Sequence, residues 1–311
     1  MDINIRELCV AFINNGKQQI ILKNVNLYLP QGKVTAIVGE SGSGKSVLGT
    51  ALVKLLGPQA VVTGQILYGE DDILSLGEED MTRIRGKHIS WMAQNPVTAM
   101  NPLQKVGSFV TEILGFRENR SDVLLKERGI EQLKHFGLQN AESVYQSYPV
   151  SLSGGMAQRA LISAMTIEEP EWLIADEPTK GLDAMVRKQV YENLRQLSRE
   201  RKMGMILITH DLRLAERLSD YVAVMYAGEI IEYTDTKLFF TEPGHPYSRG
   251  LINAQPDKTM QPIPGDNPNL MMTEESCAFA SRCIFFCEKC REKQKMFNRN
   301  SHYVRCWRYL Q

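Results

Sequence analysis

Residues 39–46 have the composition and spacing of a loop that binds phosphate groups, G-x-x-x-x-G-K-S. The backbone N–H groups of such a loop turn inward around the phosphates, and glycine permits the conformations that this requires. The loop residues that we expect at the phosphates are Gly39, Ser41, Gly42 and Gly44. Lys45 adds a positive charge for the β- and γ-phosphates, and the Ser46 hydroxyl is placed to bind Mg²⁺. The sequence therefore predicts a site for ATP with Mg²⁺.

Apolar segments indicate the elements that position this loop. Residues 33–38 predict a buried strand that ends at the loop, and the helix that follows would present its positive dipole end to the phosphates. Residues 172–175 and 205–209 predict two further buried, parallel strands. A helix between those two strands is predicted from apolar residues that share one helical face, Val186, Val190, Leu194 and Leu197. Alternating strands and helices favour an α/β fold.

Two acidic residues, Asp176 and Glu177, directly follow the predicted strand 172–175. Ligands of open α/β sheets bind at the carboxyl ends of strands, which is where this pair lies. Asp176 is placed to hold Mg²⁺ through water, and Glu177 to orient or partly deprotonate the water that attacks a phosphate. By itself such a pair is often only a solvated strand end. Beside a phosphate loop, the catalytic interpretation is favoured.

A third segment carries a family resemblance. Residues 152–159, L-S-G-G-M-A-Q-R, lie upstream of the acidic pair and resemble the signature motif of ATP-binding cassette (ABC) ATPases. Ser153 with the amides of Gly154 and Gly155 can form an anion-binding helix N-terminus, which in that family faces the γ-phosphate held by a second subunit. A serine cap with glycines that merely open a helix is the structural alternative. The resemblance implies ATP hydrolysis at the interface of a dimer.

The same resemblance assigns roles to further residues. Gln94 matches the Q-loop glutamine, which contacts Mg²⁺ and joins Glu177 in the catalytic group. His210 ends an apolar run and matches the switch histidine, the third catalytic residue, which contacts the γ-phosphate. Asp183 matches the acidic position of the D-loop. Phe12 matches the aromatic residue that stacks on adenine, although a phenylalanine at a strand end is more often part of a core.

The architecture that the family resemblance implies is an α/β P-loop NTPase ABC cassette. It carries an inserted helical subdomain, an antiparallel β subdomain and an irregular, cysteine-rich C-terminal extension. Residues 1–255 would form the ATP-binding domain, with the helical subdomain at about 96–160, and residues 256–311 would form the extension. From about Pro243 onward an irregular backbone is expected, because prolines interrupt helices and central strands. Those prolines include Pro256, Pro262, Pro264 and Pro268.

Near the C-terminus, residues 244–251, G-H-P-Y-S-R-G-L, resemble a motif of the oligopeptide, dipeptide and nickel uptake branch of the ABC family. Residues 262–265 resemble the proline-rich connector of that branch, and the pairs Y-P at 148–149 and N-P at 95–96 are also typical of it. The branch implies an ATP-hydrolysing subunit that powers an importer for peptides, nickel or metal–chelator complexes. A soluble, non-transport ABC ATPase is the main alternative, and an exporter ATPase is a second.

The cysteines are concentrated near the C-terminus. Some members of this branch hold a four-iron four-sulfur cluster through a pattern that resembles Cys277, Cys283, Cys290 and Cys306. Four thiolates can supply the ligands of such a cluster. They also suit tetrahedral zinc, and a tail of free thiols is a third interpretation. An additional Cys287 leaves the third ligand open, because Cys287-x₂-Cys290 is itself a metal-ligand spacing.

Charge and hydropathy limit the partners. The 311 residues include 36 basic and 36 acidic side chains, so no overall charge favours nucleic acid. No apolar run approaches the ~18 to 20 residues needed to cross a bilayer, which predicts a soluble, cytosolic protein. The family resemblance then implies a peripheral position at the cytoplasmic face of the cell membrane. The resemblance implies three kinds of partner. These are a second, paralogous ABC ATPase subunit, two transmembrane permease subunits and an extracytoplasmic substrate-binding protein.

Overall fold

The computed structural model describes the chain over residues 1–94, 96–117, 121–200, 202–265 and 276–310. Asn95 and Pro268, which contribute to the sequence predictions, lie outside these residues. The chain forms two compact units. The first unit comprises Met1–Leu76 with Leu207–Gln311, and the second unit comprises Gly77–Ile206. Among the helices of the described residues, none combines the length and apolar character that a membrane span requires.

The N-terminal part of the first unit is mostly strand. Its elements are β1 (Ile3–Asn14), β2 (Lys17–Leu29), β3 (Val34–Val38), α1 (Lys45–Leu52), β4 (Ala60–Tyr68) and β5 (Asp71–Asp72). An antiparallel sheet forms in the order β2-β1-β4-β5. At the start of β1 the buried residues Ile3 and Ile5 alternate with more accessible ones, because successive side chains of a strand point to opposite faces. This sheet is the antiparallel β part that the sequence resemblance implies.

The second unit is mainly helical. Its elements are α2 (Glu78–Ile84), β6 (Ile89–Met92), α3 (Pro96–Ala99), α4 (Val106–Arg117), α5 (Asp122–His135), α6 (Ala141–Gln146), α7 (Gly154–Thr166), β7 (Trp172–Asp176) and α8 (Ala184–Glu200). Strand β8 (Gly204–Thr209) begins in this unit and ends in the first. β6 and β7 pair in parallel, with Ile89 opposite Trp172 and Met92 opposite Ala175. The strands and the helix α8 predicted from apolar patterns are therefore confirmed.

Helices α4 to α7 share one apolar core. Its buried members are Val106, Val110, Leu114, Leu133, Leu138, Ala141, Val144, Ala160, Ala164 and Ile167. Most of these side chains lie in short helices that would be marginal in isolation, while Leu138 and Ile167 lie just outside them, so their packing is what stabilises the helices. The α7 helix, which begins with the signature segment, contributes Ala160 and Ala164 to this core.

The C-terminal part of the first unit adds strands to β3. Its elements are α9 (Leu212–Leu218), β9 (Tyr221–Tyr226), β10 (Glu229–Asp235), α10 (Thr236–Thr241), α11 (Pro246–Asn253), β11 (Phe297–Arg299) and β12 (His302–Val304). Within this unit the strand order is β11-β12-β10-β9-β3. β3 and β9 are parallel, with Val38 opposite Val224, and the other pairs are antiparallel. Every residue of β3 is buried, as expected for the strand that ends at the phosphate loop.

The backbone after Pro243 is more regular than the sequence analysis expects. Pro246 is the first residue of α11, where the missing N–H of proline has no hydrogen bond to lose. β12 pairs with β10 and β11 pairs with β12, so the end of the chain extends the sheet. The expectation of an irregular backbone from Pro243 onward is therefore wrong for these segments. Turns and short 3₁₀ helices, Ala280–Arg282 and Glu288–Arg291, do occupy the cysteine-bearing stretch between them.

Gly204 at the start of β8 provides a test of this packing. A Cβ at this position would lie 2.8 Å from ring carbons of Trp172, which is fully buried. We expect Gly204→Ala to lower the free energy of unfolding by ~1 to 3 kcal/mol, because a close-packed ring cannot move aside without strain. Gly57→Ala is the matched control, since a Cβ there meets nothing within 4 Å. Urea unfolding measures both, and equal stabilities of the two variants would contradict the packing described.

Candidate nucleotide site

The phosphate loop between β3 and α1 adopts conformations that only glycine accommodates readily. Gly39, Gly42 and Gly44 have positive φ angles of 151°, 81° and 104°, a region that residues with a Cβ rarely adopt. Space is also limiting. A Cβ at Gly39 would lie 2.1 Å from the carbonyl oxygen of Met225, and one at Gly44 would lie 2.8 Å from Leu22 Cδ2. Glycine is therefore required at both of these positions.

The side chain of Lys45 is folded into the loop and is 7% exposed. Its ammonium group donates hydrogen bonds to Gly39 O at 2.9 Å, Glu40 O at 2.8 Å and Ser43 Oγ at 3.3 Å. These three acceptors belong to the loop itself, so they fix the position of the ammonium group within it. A positive charge held inside a loop of backbone groups is the arrangement that binds a phosphate.

Helix α1 begins at Lys45 and adds to this electropositive region. Its N-cap, Gly44, has no side chain that could accept hydrogen bonds from the first-turn N–H groups. Those groups and the positive end of the helix dipole are thus available to an anion. Ser41 and Ser46 are exposed, which leaves the hydroxyl predicted to bind Mg²⁺ accessible.

His210 and Phe12 also belong to the first unit. His210 directly follows β8 and is exposed. The next residue, Asp211, caps α9 by accepting hydrogen bonds from two backbone N–H groups of that helix at 3.0 and 3.1 Å. This cap fixes the backbone beside His210. Phe12 lies within β1 and is half-buried, so part of its ring is accessible.

The acidic pair lies at the end of β7 in the second unit. Asp176 is 4% exposed and Glu177 is 7% exposed. Glu177 has a positive φ angle of 49°, which is uncommon for a residue other than glycine. Its carbonyl oxygen accepts a hydrogen bond from the N–H of Lys180 at 3.1 Å, which closes a turn. A buried acid on a strained backbone, as at Glu177, is typical of sites where position matters more than local stability.

The signature segment forms the first turn of α7. Ser153 is its N-cap, and its Oγ accepts a hydrogen bond from the N–H of Met156 at 3.3 Å. A Cβ at Gly155 would lie 2.9 Å from Val186 of α8, so glycine is needed there for helix packing. A Cβ at Gly154 would meet nothing within 4 Å. The backbone at Gly154 is therefore open to a ligand, while Ser153 and Gly155 also have structural roles.

Gln158 of α7 is a residue to which the sequence analysis gives no role. It is 1% exposed, and its Nε2 donates a hydrogen bond to the carbonyl oxygen of Pro178 at 3.0 Å. Because Pro178 directly follows Glu177, this bond fixes the backbone beside the acid. The signal in the sequence is an amide side chain among the apolar residues of α7.

Gln94 and Asp183 occupy exposed positions in the second unit. Gln94 follows the end of β6 and is exposed. Asp183 precedes α8 and accepts hydrogen bonds from the N–H groups of Met185 and Val186 at 2.9 and 3.0 Å. Asp183 thus stabilises the start of α8 as an N-cap, a role that does not depend on a nucleotide.

The predicted residues divide between the two units. The first unit contains Phe12, Gly39, Ser41, Gly42, Gly44, Lys45, Ser46 and His210. The second unit contains Gln94, Ser153, Gly154, Gly155, Asp176, Glu177 and Asp183. In each unit, polar groups follow the carboxyl ends of strands: the loop after β3 and His210 after β8, Gln94 after β6 and the acidic pair after β7. This is where ligands of α/β sheets bind.

Two residues from the C-terminal region contact the phosphate loop, which the sequence analysis did not predict. Tyr247 of α11 accepts a hydrogen bond from the N–H of Glu40 at 2.9 Å. Arg282 donates two hydrogen bonds to the Glu40 carboxylate at 2.7 and 3.0 Å. Tyr247 lies in the motif that the sequence analysis treats only as a mark of a family branch. Arg282 is 242 residues away from Glu40 along the chain, so no spacing could reveal the contact.

A buried polar network anchors the start of α11. His245 is the N-cap, and its Nδ1 accepts a hydrogen bond from the N–H of Tyr247 at 3.0 Å. Glu232 of β10 accepts hydrogen bonds from the N–H groups of Gly244 and His245 at 2.8 and 2.7 Å, and its carboxylate lies 2.8 Å from His302 Nε2. Glu232, His245 and His302 are all buried. The network therefore joins α11 to the sheet.

The four predicted cysteine ligands lie near one another in the first unit. The N–H of Cys277 donates to the carbonyl oxygen of Cys290 at 3.0 Å. The pKa of the Cys277 thiol is raised to about 12, mainly by burial and to a smaller extent by the nearby thiols of Cys290, Cys306 and Cys283. In the described part of the chain, no three His, Cys, Asp or Glu side chains converge closely enough to hold one metal ion.

Each of these four sulfur atoms accepts a hydrogen bond from a nitrogen. The donors are the backbone N–H of Phe279 to Cys277, of Phe285 to Cys283 and of Arg308 to Cys306, and Trp307 Nε1 to Cys290 at 3.2 Å. In Cys283 and Cys306, as in Cys277, burial raises the thiol pKa while these donors oppose the rise. Donors of this kind stabilise a thiolate.

Comparisons with known proteins point to one family. A family model for ABC transporters matches residues 22–180, and a model for the C-terminal region of oligopeptide/dipeptide transporters matches residues 231–290. The oligopeptide transport ATP-binding protein OppD of Bacillus subtilis is 36% identical over 98% of this chain and 88% of its own. OppD of Escherichia coli is 37% identical over 93% of this chain and 87% of its own. The dipeptide transport ATP-binding protein DppD of Bacillus subtilis is 36% identical over 98% and 94%.

Solved structures show the same fold. A dimeric ATP-binding cassette in a post-hydrolysis state, bound to ADP and phosphate, has a TM-score of 0.68 at 25% identity and covers 75% of this chain and 98% of its own. The cbiO1 subunit of an ABC transporter complex from Clostridium perfringens has a TM-score of 0.65 at 27% identity. The match covers 77% of this chain and 90% of that one. Fold and site together define an ATPase of the ATP-binding cassette class. The chain belongs to the ABC transporter family, in the branch of the oligopeptide and dipeptide transport ATP-binding proteins.

The buried His245 makes stability depend on pH. Burial lowers its pKa from 6.5 to about 4; the charge of Glu232 opposes this shift and that of Arg305 adds to it. The unfolded chain therefore takes up this proton at a higher pH than the folded chain does. The contribution of His245 to the free energy of unfolding is fully present above about pH 6.5. It is lost as the pH falls towards about 4, which lowers the free energy of unfolding by as much as ~3 kcal/mol.

His245→Asn is the variant that tests this dependence, because asparagine also caps helices but does not titrate. Urea unfolding between pH 7 and pH 4.5 should show wild type losing more stability than His245→Asn over this range. If the two proteins lose stability in parallel, the neutral, buried state assigned to His245 is wrong.

Proposed function

We propose that this chain supplies one half of a nucleotide site in an ATPase that powers an importer for peptides. The observation that carries the proposal is the ammonium group of Lys45 held within a loop of positive-φ glycines at the N-terminus of α1. Residues 1–255 act as the ATP-binding domain, with a helical subdomain at about 96–160, and residues 256–311 act as its extension. As an importer subunit, the protein works at the membrane as a peripheral component.

ATP binds with its phosphates on Lys45, on Ser46 and on the amides of the loop. Gly39, Ser41, Gly42 and Gly44 contribute those amides, and Phe12 stacks on the adenine. The loop binds any triphosphate through charge and backbone donors, so Phe12 is the residue that recognises the base. The half-buried ring of Phe12 retains the accessible surface that stacking needs.

Hydrolysis uses Glu177 to orient the attacking water, with Lys45 and His210 stabilising the charge that develops on the transferred phosphoryl group. The oxygens of Ser46, Gln94 and Asp176 form the hard donor set that Mg²⁺ prefers. These residues would hold Mg²⁺, which would supply positive charge to offset that of the phosphates. Gln158 holds the backbone beside Glu177 and acts as a positioning residue.

A second ATPase subunit completes the site. Ser153, Gly154 and Gly155 present the open N-terminus of α7 to the γ-phosphate held by the partner, with Asp183 at the same interface. A similar cassette has been solved as a dimer bound to ADP and phosphate, which supports a dimer as the working form. We favour a paralogous partner over an identical copy. Closure over ATP would supply the binding energy that moves two transmembrane permease subunits.

The cargo follows from the names of the relatives, which describe oligopeptide and dipeptide transport. Those names favour peptides over the nickel or metal–chelator complexes that the sequence analysis left open. An extracytoplasmic binding protein would select the peptide and deliver it to the permease subunits.

Substitutions at Lys45 and Glu177 separate binding from hydrolysis. Lys45→Ala should weaken Mg-ATP binding about 10- to 100-fold, because charged hydrogen bonds to the phosphates are lost. Glu177→Gln should retain binding but lower turnover by ~100-fold or more, since the acid that orients the water is gone. Calorimetric titration and phosphate release by the complex with its partner subunits measure the two effects.

Exposed residues of the same types serve as controls. Lys188 and Glu192 lie on the accessible face of α8. The variants Lys188→Ala and Glu192→Gln should therefore leave binding and turnover unchanged. Normal turnover by a folded Glu177→Gln protein would refute the catalytic assignment.

We further propose that Cys277, Cys283, Cys290 and Cys306 hold a four-iron four-sulfur cluster. The ligands of such a cluster bind four different irons, so their sulfurs need not converge on one point as a zinc site requires. The N–H donor at each sulfur supports a thiolate ligand, since hydrogen bonds to sulfur stabilise and tune these centres. Cys287 is left out of the ligand set.

Serine substitutions test the ligand set. Protein purified without oxygen should contain about four irons and four acid-labile sulfides per chain. Cys290→Ser should lose most of this iron, because it removes a buried ligand, whereas Cys287→Ser should keep it. Iron-free wild-type protein, or protein that contains zinc instead, would rule out the cluster.

A further inference from the structure

Glu40, in the phosphate loop, is held by three separate groups. Its N–H donates to Tyr247 Oη at 2.9 Å, and its carbonyl oxygen accepts from Lys45 Nζ at 2.8 Å. Its carboxylate accepts two hydrogen bonds from the Arg282 guanidinium at 2.7 and 3.0 Å. Two of the three groups therefore come from the C-terminal part of the chain, far from the loop in sequence.

Arg282 is buried and almost completely enclosed, with 4% of its side chain exposed. Besides Glu40, it donates through Nε to the carbonyl oxygen of Pro264 at 2.8 Å. The guanidinium carbon lies 5.8 and 5.9 Å from the ring centres of Tyr226 and Phe279. A planar guanidinium that is held by contacts on several sides is pre-organised, so the arginine side chain loses little conformational freedom when it binds the carboxylate.

The charge of Glu40 explains why such a partner matters. A carboxylate in a loop that binds polyphosphate repels the ligand, and the repulsion between like charges in partly buried surroundings is strong. The paired guanidinium cancels that negative charge. The carboxylate is 26% exposed and solvent therefore screens it only in part.

Tyr247 acts on the same residue through its backbone. Its ring packs against Tyr226 at 4.6 Å and Phe279 at 5.4 Å between ring centres, which fixes the hydroxyl. The hydrogen bond from the Glu40 N–H then sets the orientation of the peptide that precedes Glu40. That peptide carries the Gly39 carbonyl, which accepts from Lys45.

We propose that Arg282 and Tyr247 are positioning residues of the phosphate loop, so that the C-terminal part of the chain contributes directly to nucleotide affinity. Arg282 neutralises Glu40 and fixes its side chain, while Tyr247 fixes its backbone. The inference rests on the proposed nucleotide site at Lys45. It gives the motif around His245 and the cysteine-bearing segment a role in ATP binding that is separate from any metal they hold.

A charge-rescue experiment on the full chain tests the role of Arg282, with Mg-ADP as the probe. Arg282→Gln should weaken Mg-ADP binding about tenfold, because an unpaired carboxylate then faces the phosphates. Glu40→Gln removes that carboxylate, so the double variant Glu40→Gln with Arg282→Gln should bind about as well as Glu40→Gln alone. The loss in Arg282→Gln should shrink between about 50 mM and about 500 mM salt, since screening weakens the repulsion.

Conservative variants separate positioning from general damage to the fold. Arg282→Lys keeps the charge but loses the two-point contact, and should fall between wild type and Arg282→Gln. Tyr247→Phe keeps the ring packing and should weaken binding severalfold, because the Glu40 N–H loses its acceptor. Arg291→Gln, at an exposed arginine of the same extension, is the matched control and should bind like wild type.

The outcomes distinguish this inference from the proposed site. If Lys45→Ala loses affinity while folded Arg282→Gln and Tyr247→Phe bind like wild type, the positioning role is wrong and the nucleotide site stands. If the effects of Glu40→Gln and Arg282→Gln simply add, Arg282 acts as a structural link and charge neutralisation is refuted. If Lys45→Ala binds normally, the proposed site itself fails.

Discussion

The ammonium group of Lys45 sits among the backbone carbonyls of its own loop, and the surrounding structure serves to hold it there. The loop can close around it because Gly39 and Gly44 adopt positive φ angles where a Cβ would collide with neighbouring atoms. Buried strand β3 fixes one end of the loop and helix α1 fixes the other. A positive charge held at a fixed place in a loop of backbone groups is the arrangement that binds a phosphate.

In the second unit, packing and hydrogen bonds also hold predicted site residues in place. The apolar core of α4 to α7 fixes α7, and α7 carries Gln158, whose amide holds the backbone that follows Glu177. Ser153 and Asp183 are both helix caps, at α7 and α8. The capping and the ligand-binding interpretations of these two residues are therefore compatible, because a well-formed helix N-terminus is what an anion requires.

The C-terminal extension is integrated into the first unit by hydrogen bonds and not by an apolar interface alone. β12 pairs with β10, and Glu232 of β10 binds the start of α11. From α11 and the cysteine-bearing segment, Tyr247 and Arg282 reach Glu40. The segment that marks the transporter branch thus contacts the phosphate loop directly.

The sequence by itself determined the class of the protein and which residues supply the chemical groups of the proposed nucleotide site. Glycine spacing at residues 39–46 and the acids after strand 172–175 are local patterns. Such patterns can be recognised without the tertiary structure, because glycine permits the loop conformation and a run of apolar residues indicates a buried strand. Contacts between distant residues leave no such trace. The tertiary structure alone decided that Arg282 pairs with Glu40, that Gln158 holds Pro178 and that the chain after Pro243 returns to a helix and the sheet. Those outcomes depend on which side chains the fold brings together, and spacing along the chain does not encode that.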